Sequence, residues 1–402
     1  MSGSDGGYAF LPYAHQLIEA DDVAAVAEVL RSAFLTTGPV LPRFETAFAT
    51  AVGARHAVAC SSGTAALHLA VMALDLGPGD LAIVPSMTFL ATANAVRFVG
   101  AEVVFADVDP DSGLITPETT AAALARASGG RVKAVMPVHL GGTAADLAAI
   151  GALLERRGIS VVEDACHALG ATAAGTRIGD CTHSTMATFS THPAKAITTG
   201  EGGMVTLNDS ALAARLARLR SHGMDYDPQH WQMPERGAEA GLEAPWYYEM
   251  AEIGCNYRLT DIACALGLSQ LGKLQRFLAR RSELAAVYDR LIAPLAPHVR
   301  PPVSVPGTQS GWHLYSVRID FDALGTTRSL VMRRLRKRGI GTQVHYIPVH
   351  TQPYYRRRYG ALALPGAEIY YRRTLSLPLF AAMAEGDVER VVAALAETLE
   401  AR

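Results

Sequence analysis

The chain has 402 residues, half of them hydrophobic, and a formal net charge of −2 at pH 7. This composition is typical of a well-packed soluble protein with room for more than one domain, and it argues against a disordered or fibrous chain. The near-neutral charge argues against a nucleic-acid-binding surface, which needs a clear basic excess.

The sequence also bears on the compartment. No apolar stretch is long and uncharged enough to span a bilayer, and residues 1–5 lack the features of a signal peptide. The five cysteines are odd in number and include no C-x-x-C pair, which is typical of free thiols in a reducing compartment. We therefore expect a cytoplasmic protein with no membrane partner.

Short β-branched runs alternate with longer Ala- and Leu-rich stretches from about residue 55 to residue 207. This alternation predicts an α/β fold with a mostly parallel central sheet flanked by helices. The runs predicted as strands are residues 57–60, 81–85, 103–105, 134–138, 160–163, 185–189 and 203–207.

Small or polar residues follow five of these predicted strands. The segments concerned begin at Ser61, Ser86, His139, Asp164 and Ser190. In open α/β sheets, ligands gather at the carboxyl ends of the strands. We therefore expect the five strand ends to line one crevice, and we predict the functional site there.

The pattern changes after about residue 261. A helical pattern covers residues 266–291, and strands are predicted near residues 312–319 and 341–347. We interpret this part as a smaller C-terminal α+β domain of residues 270–402, after a large domain of residues 8–269. The aromatic-rich segment 224–250 is predicted to be an ordered loop that packs on a partner or acts as a lid.

Two features of the predicted crevice point toward a phosphorylated cofactor. A turn of small residues, 61–66, opens a helix, where backbone N–H groups and the helix dipole favour a phosphate, although an ordinary helix cap has the same pattern. Asp164 ends an apolar strand. A buried acid needs a cationic partner, such as a protonated pyridine nitrogen, unless it merely caps a helix.

Lys195 comes soon after Ser190 and before a glycine-rich turn. A lysine in a cleft with its pKa lowered by desolvation can form an imine with a carbonyl, whereas an isolated lysine is ordinarily on the surface. The convergence of the phosphate turn, the aromatic Phe89, Asp164, Ser190 and Lys195 favours a site for pyridoxal 5'-phosphate (PLP).

Other cofactor motifs fail when their spacing is checked. Acidic residues in the segment 107–118 mimic a calcium loop, but Ser112 stands where such a loop needs Gly. There is no H-E-x-x-H motif, and no G-x-G-x-x-G follows a strand. The sequence therefore predicts no metal site.

Three stretches carry a resemblance to a known family. Residues 163–170 read EDACHALG, residues 189–203 read FSTHPAKAITTGEGG, and residues 254–261 read GCNYRLTD. By these motifs the chain resembles the sugar-nucleotide aminotransferases of the DegT/DnrJ/StrS type, over nearly its whole length. The resemblance implies a fold-type I PLP-dependent transferase that forms a homodimer with shared active sites.

The resemblance also implies roles for individual residues. Lys195 would carry PLP as a Schiff base, Asp164 would face its pyridinium nitrogen, and Asn256 would reach the site of the neighbouring subunit. The cofactor-binding residues implied are Gly63, Thr64, Phe89, Asp164, His167, Ser190, Lys195 and Asn256. The substrate-binding residues implied are Tyr13, Ala33, Phe34, Leu35, Thr36, His345 and Tyr346.

Residues 246–250 and 344–350 are most similar to family members of the pseudaminic acid pathway. This implies transfer of an amino group from an amino acid, L-glutamate in relatives, to carbon 4 of a UDP-linked 4-keto-6-deoxy-N-acetylhexosamine. A different nucleotide keto-sugar, of the 4-aminoarabinose type or aminated at carbon 3, and a keto-cyclitol stay open. Sugar dehydration is disfavoured, because family dehydratases have histidine in place of Lys195, and a non-catalytic regulator is the last alternative.

Overall fold

The computed structural model describes residues 9–400 and has a seven-stranded sheet at its centre. In spatial order the strands are His56–Cys60, Gly203–Leu207, Met186–Ser190, Ser160–Asp164, Arg131–Val135, Asp80–Pro85 and Glu102–Ala106. Only Gly203–Leu207 runs antiparallel to its neighbours in this sheet. The predicted mostly parallel α/β sheet is confirmed.

The strand boundaries differ from the predicted ones by a few residues. The largest difference concerns residues 134–138, where the strand is Arg131–Val135. Pro137 has no N–H to donate to a neighbouring strand, so regular pairing ends before it. Beyond this proline only Val138 pairs, in a single bridge with Asp164.

Helices flank the sheet and begin at residues suited to that position. The Ser62 hydroxyl accepts the Ala65 N–H at 3.1 Å, and Thr116 caps a helix that starts with Pro117. The helices of this part are Ala20–Leu30, Val40–Val52, Gly63–Ala73, Leu90–Phe98, Pro117–Arg126, Leu147–Leu154, Ser210–Leu219 and Asp261–Leu271.

The core beneath the strand ends is apolar and closely packed. Val162, Met186 and Val205 are fully buried in three adjacent strands. Each such side chain contributes about 1.5–3 kcal/mol through burial. The sheet is therefore a firm base for the polar residues that follow its strands.

The C-terminal part contains a three-stranded antiparallel sheet of Val299–Arg300, Tyr315–Ile319 and Thr374–Leu377. The helices Leu274–Ile292, Arg328–Lys337 and Glu385–Glu400 share a hydrophobic cluster with this sheet. The helices Pro353–Tyr359 and Pro365–Arg373 pack instead on the core of the large sheet. The domain boundary near residue 270 stays a prediction, and residue 8, the predicted start of the large domain, lies outside the described residues.

Two predictions for this part were wrong. The single helix over residues 266–291 is two helices, because Gly272, a poor helix former, and Lys273 separate Asp261–Leu271 from Leu274–Ile292. The strand over residues 341–347 is absent from the described structure. In that segment Gln343 forms one bridge with Ser376, and the following side chains turn toward a cavity.

The predicted strand over residues 312–319 begins only at Tyr315. Trp312 has a φ of 45°, a left-handed conformation that cannot continue a strand. The strand Thr374–Leu377, which pairs with Tyr315–Ile319, was not predicted.

The segment 224–250 is ordered, as predicted. It contains the short 3-10 helices Pro228–His230 and Pro234–Gly237 and two pairs of two-residue strands. Trp246 and Tyr248 are exposed, and the role of the segment as a lid or a partner contact stays a prediction. Every helix within residues 9–400 is too short or too polar to cross a membrane.

Candidate active site

A cavity of about 590 Å³ opens at the carboxyl ends of the central strands. Residues that follow several of the strands singled out in the sequence line it. The predicted site residues in its lining are Tyr13, Gly63, Thr64, Phe89, Asp164, His167, Ser190, Lys195, His345 and Tyr346.

One end of the cavity is formed by the start of the helix Gly63–Ala73. The first N–H groups of a helix have no partner within it, and the helix dipole makes this end positive. A Cβ atom on Gly63 would lie 2.8 Å from the Ser190 Cβ and 3.2 Å from the Cys166 Sγ, so only glycine fits. With the hydroxyls of Thr64 and Ser190 in the lining, this end suits a phosphate group.

Asp164 lies in the cavity wall and is only 5% exposed. Its Oδ2 accepts the Thr92 hydroxyl at 2.6 Å, and its Oδ1 accepts the Cys166 N–H at 3.2 Å. No arginine, lysine or histidine of residues 9–400 forms an ion pair with it. A buried carboxylate without a cation is costly, so this arrangement fits a ligand that brings its own positive charge, such as a protonated pyridine ring.

Lys195 lies in the connection between the strands Met186–Ser190 and Gly203–Leu207. Its N–H donates to the His192 carbonyl oxygen at 2.8 Å, but none of the described residues forms a hydrogen bond or ion pair with its Nζ. Burial lowers the pKa of the Lys195 ammonium, while Cys166 and Asp164 act in the opposite direction. A lysine in this state is a competent nucleophile and base.

His167 and Tyr346 form a neutral hydrogen-bonded pair in the wall. The Nδ1 of His167 accepts the Gly141 N–H at 3.3 Å, and its Nε2 lies 3.0 Å from the Tyr346 hydroxyl oxygen. Because a backbone N–H can only donate, we assign the proton to Nε2, which donates to Tyr346. Burial holds the pKa of His167 well below its ordinary value and that of Tyr346 well above.

Two further histidines stand beside this pair. The Nδ1 of His345 lies 2.8 Å from the Ser376 hydroxyl, and burial lowers the pKa of His345 to about 3. The ring of His313 lies 4.2 Å from that of His167, and burial also holds the pKa of His313 well below its ordinary value. His313 was not predicted as a site residue, because it lies far from the other site residues in the chain.

The mouth of the cavity is aromatic. The ring of Phe89 is 54% exposed and lies 5.8 Å from that of Tyr346, and the ring of Tyr13 lies 5.6 Å from that of His345. Flat, partly exposed rings of this kind can contact the faces of a cofactor or a sugar. The cavity lining also includes residues that were not predicted as site residues, among them Cys166, Glu201, Gln343 and Gln352.

Five predicted site residues are not in this cavity. Asn256 and residues 33–36 are exposed and lie outside its lining. Residues 33–36 lie against the segment that contains Asn256, because Thr36 forms an antiparallel bridge with Thr260. Within a single chain, the structure therefore separates them from Lys195.

Comparison with known proteins shows extensive similarity. The model of the DegT/DnrJ/EryC1/StrS aminotransferase family matches residues 16–396. Among solved structures, an aminotransferase, TlmJ, from Streptoalloteichus hindustanus is 33% identical with a TM-score of 0.87, and the alignment covers 98% of this chain and 100% of that one.

Two other solved structures are similar over the same extent. PseC from Helicobacter pylori, described as an aminotransferase involved in the biosynthesis of pseudoaminic acid, is 30% identical with a TM-score of 0.87. DesV from S. venezuelae, solved in complex with a ketimine intermediate, is 34% identical with a TM-score of 0.84. Both alignments cover 98% of this chain and 100% of the other chain.

Proposed function

Because this chain belongs to the DegT/DnrJ/EryC1/StrS aminotransferase family, whose members are PLP-dependent, we propose that it aminates carbon 4 of a UDP-linked 4-keto-6-deoxy-N-acetylhexosamine. That the chain is a PLP-dependent sugar aminotransferase follows from the family match and from its structural neighbours. The sugar, the nucleotide, the carbon atom and L-glutamate as the amino donor are our proposal.

The observation that carries the proposal is the convergence of a partly buried lysine, an unpaired buried carboxylate and a helix N-terminus in one cavity. In the proposed complex, Lys195 anchors PLP, Asp164 pairs with its ring nitrogen, and Gly63, Thr64 and Ser190 hold its phosphate. Phe89 contacts the ring, and His167 lies beside the phenolic oxygen.

The protein's contribution to the reaction is to position groups and to move a proton. When bound, PLP supplies an aldehyde carbon that takes up the amino group and a ring that accepts electron density. In the donor half-reaction, the Nζ of Lys195, with its pKa lowered by burial, would move a proton from the α-carbon of the donor to the cofactor carbon that takes up the nitrogen; in the sugar half-reaction it would move a proton from that carbon to the sugar carbon. The Asp164 carboxylate, held in place by Thr92 and the Cys166 N–H, would pair with the ring nitrogen.

The proposed sugar rests on two observations. PseC, whose description names pseudoaminic acid biosynthesis, is similar over the whole chain. In addition, Tyr13, His345 and Tyr346 line the cavity near Lys195, where the sugar would lie. DesV and TlmJ are at least as similar in sequence as PseC, so amination of a different nucleotide keto-sugar is the second candidate.

We also propose that the chain acts as a homodimer in the cytoplasm. Asn256 and residues 33–36 are exposed in the single chain and lie outside its own cavity. In the proposed dimer they reach the cavity of the other subunit. The free cysteines fit a reducing compartment.

Substitution of the lysine tests the activity. The purified protein with PLP is expected to show the absorbance band of a lysine Schiff base and to transfer amino groups from L-glutamate. Lys195→Ala is expected to lose both, whereas Lys133→Ala, at a lysine that contacts Asp80 outside the cavity, keeps both. A Schiff-base band that persists in Lys195→Ala would show that another amine binds the cofactor.

A panel of UDP- and TDP-linked 3-keto and 4-keto sugars tests the substrate. The proposal expects the highest kcat/KM for the UDP-linked 4-keto-6-deoxy-N-acetylhexosamine, with nitrogen located at carbon 4 by NMR. A preference for a 3-keto sugar or for a TDP-linked sugar would reject the proposed substrate and leave the aminotransferase activity intact.

A further inference from the structure

Residues 33–36 are exposed, and the segment that contains them is hydrogen-bonded to a second segment at the start of a helix. The Asp261 N–H donates to the Leu35 carbonyl oxygen at 3.0 Å, next to the bridge between Thr36 and Thr260. We call residues 33–40 and 256–261 the paired segments. Together they contain all five predicted site residues that lie outside the cavity of their own chain.

The side chain of Asp261 fastens the paired segments to each other. Asp261 is fully buried, and its Oδ2 and Oδ1 accept the N–H groups of Gly38 and Val40, each at 2.8 Å. No cationic side chain in the described part of the chain forms an ion pair with it. A buried carboxylate that relies on two backbone donors is stable only while both donors stay in place.

Gly38 shows how close this contact is. A Cβ atom at position 38 would lie 2.5 Å from the Cβ of Phe34 and 2.9 Å from the Oδ1 of Asp261. Any side chain there would push the backbone of residues 33–40 away from the carboxylate. The sequence and the packing therefore both favour one position of this segment relative to Asp261.

The other paired segment is fixed to the large sheet. The Tyr257 N–H donates to the Arg220 carbonyl oxygen at 3.0 Å, and the Tyr257 carbonyl oxygen accepts the Ser61 N–H at 2.8 Å. Because Asp261 belongs to the segment that is bonded to the large sheet, its contacts fix residues 33–36 relative to that sheet. Residues 33–36 are themselves exposed.

We propose that Asp261 is a positioning residue that acts in trans: it holds residues 33–36 against the segment that contains Asn256, so that both reach the active site of the other subunit. This inference rests on the proposed function and on its homodimer. A displacement of about 1 Å at substrate-positioning residues can lower a rate by about a hundredfold. We therefore expect Asp261→Ala to lower kcat/KM for the sugar nucleotide by about that factor, while Lys195 of the same chain still binds PLP.

Hybrid dimers test whether the effect is in trans. Lys195→Ala and Asp261→Ala chains with different affinity tags are co-expressed, and the mixed dimer is isolated. One of its two sites combines an intact Lys195 with intact paired segments from the other chain. The mixed dimer is therefore expected to show roughly half of the wild-type activity, although both parent homodimers are nearly inactive.

If Asp261 acts within its own chain, the only chain with an intact lysine also has the defect, and the mixed dimer stays inactive. That result, with an active wild-type enzyme, would overturn the inference. Lack of amino transfer by the wild-type enzyme would instead reject the proposed function. The two failures are thus distinguishable.

Two further variants separate positioning from loss of folding. Gly38→Ala displaces the same segment, and its activity is expected to be restored in the same way by a Lys195→Ala chain in the mixed dimer.

Asp107→Ala is the matched control, because the Asp107 carboxylate also accepts two distant backbone N–H groups, from Gly366 and Ala367, away from the cavity. It is expected to lower stability without lowering the kcat/KM of the folded protein. An equal fall in kcat/KM for Asp107→Ala would overturn the inference, because the loss of any carboxylate that accepts distant backbone N–H groups would then explain the effect.

Discussion

The Thr92 hydroxyl donates to the Oδ2 of Asp164 at 2.6 Å, and both residues are buried. Thr92 lies in the first turn of the helix Leu90–Phe98, so this bond joins the helix after one strand to the end of another. Together with the Cys166 N–H on Oδ1, it leaves the carboxylate little freedom to rotate. The orientation of the acid is therefore set by the fold before any ligand arrives.

Thr92→Val tests whether this orientation matters. Valine keeps the shape but removes the donor, and hydrogen bonds to charged groups contribute about 1.5–3 kcal/mol. We expect kcat/KM for amino transfer to fall by about ten- to a hundredfold. Thr92→Ser keeps the hydroxyl and serves as the control. Equal activity of the valine and serine variants would show that the backbone alone orients Asp164.

Gly63→Ala tests the phosphate end of the cavity. The added Cβ would meet the Ser190 Cβ at 2.8 Å, so the helix start and the strand end must move apart. Overpacking of this kind costs about 1–3 kcal/mol, and we expect the Kd for PLP to rise by about ten- to a hundredfold in a fluorescence titration. Gly151→Ala, where the nearest atom is 3.6 Å away, is expected to leave the Kd unchanged.

Tyr346→Phe tests the hydrogen bond between His167 and Tyr346. If Nε2 carries the proton, phenylalanine leaves this buried donor without an acceptor, at a cost of about 1–3 kcal/mol. We expect the free energy of unfolding in urea to fall by this amount, beyond any change in Tyr248→Phe, at a tyrosine that is exposed. Equal stability of the two variants would show that the hydrogen bond between His167 and Tyr346 contributes nothing to stability.

The buried histidines predict a loss of stability in mild acid. The pKa of His345 is lowered to about 3 in the folded state, from about 6.5 in the unfolded chain. Between these two pH values the unfolded state binds more protons than the folded state. The contribution of the neutral His345 ring to the free energy of unfolding is therefore complete above about pH 6.5 and falls as the pH is lowered. The slope is about 1.4 kcal/mol per pH unit for His345 alone, and the lowered pKa values of His167 and His313 act in the same direction.

Urea unfolding between about pH 7.5 and pH 5 measures this slope. His345→Gln is expected to flatten it relative to wild type, by an amount that approaches about 1.4 kcal/mol per pH unit as the pH falls toward about 5. The matched control is His298→Gln, at an exposed histidine, which is expected to keep the wild-type slope. A wild-type slope in His345→Gln would contradict the buried, neutral state of this ring.

The strands of the large sheet were predictable because each combines apolar residues with a polar or small residue at its end. That local pattern is also sufficient to place Gly63, Asp164 and Lys195 at one edge of the sheet. In contrast, Thr92 and His313 contact their partners only because the chain folds back on itself. Thr92 lies 72 residues from Asp164 in the sequence, and no local pattern connects the two.

The three-stranded sheet of the C-terminal part was harder to predict for a similar reason. Residues 341–347 have the composition of a strand, but their side chains line a cavity, whereas the strand Thr374–Leu377 lies in a run interrupted by Pro378. Hydrophobic pattern alone does not distinguish a cavity wall from a sheet face. Residues 33–36 and Asn256, which are exposed, were predicted as site residues from the family resemblance alone. Nothing in their own sequence points to a site on another chain.

The loop that carries Lys195 begins and ends on paired residues, since Ser190 and Gly203 are partners in adjacent antiparallel strands. Inside it, the Thr191 N–H donates to the Gly202 carbonyl oxygen at 2.9 Å. The position of the Lys195 amine is therefore set by the pairing of these two strands, and not by residues 343–347 or by the paired segments. Substitutions in the part of the cavity wall that contacts the sugar can therefore be selected without displacing Lys195. The same fold can change its sugar specificity in this way while it keeps its chemistry.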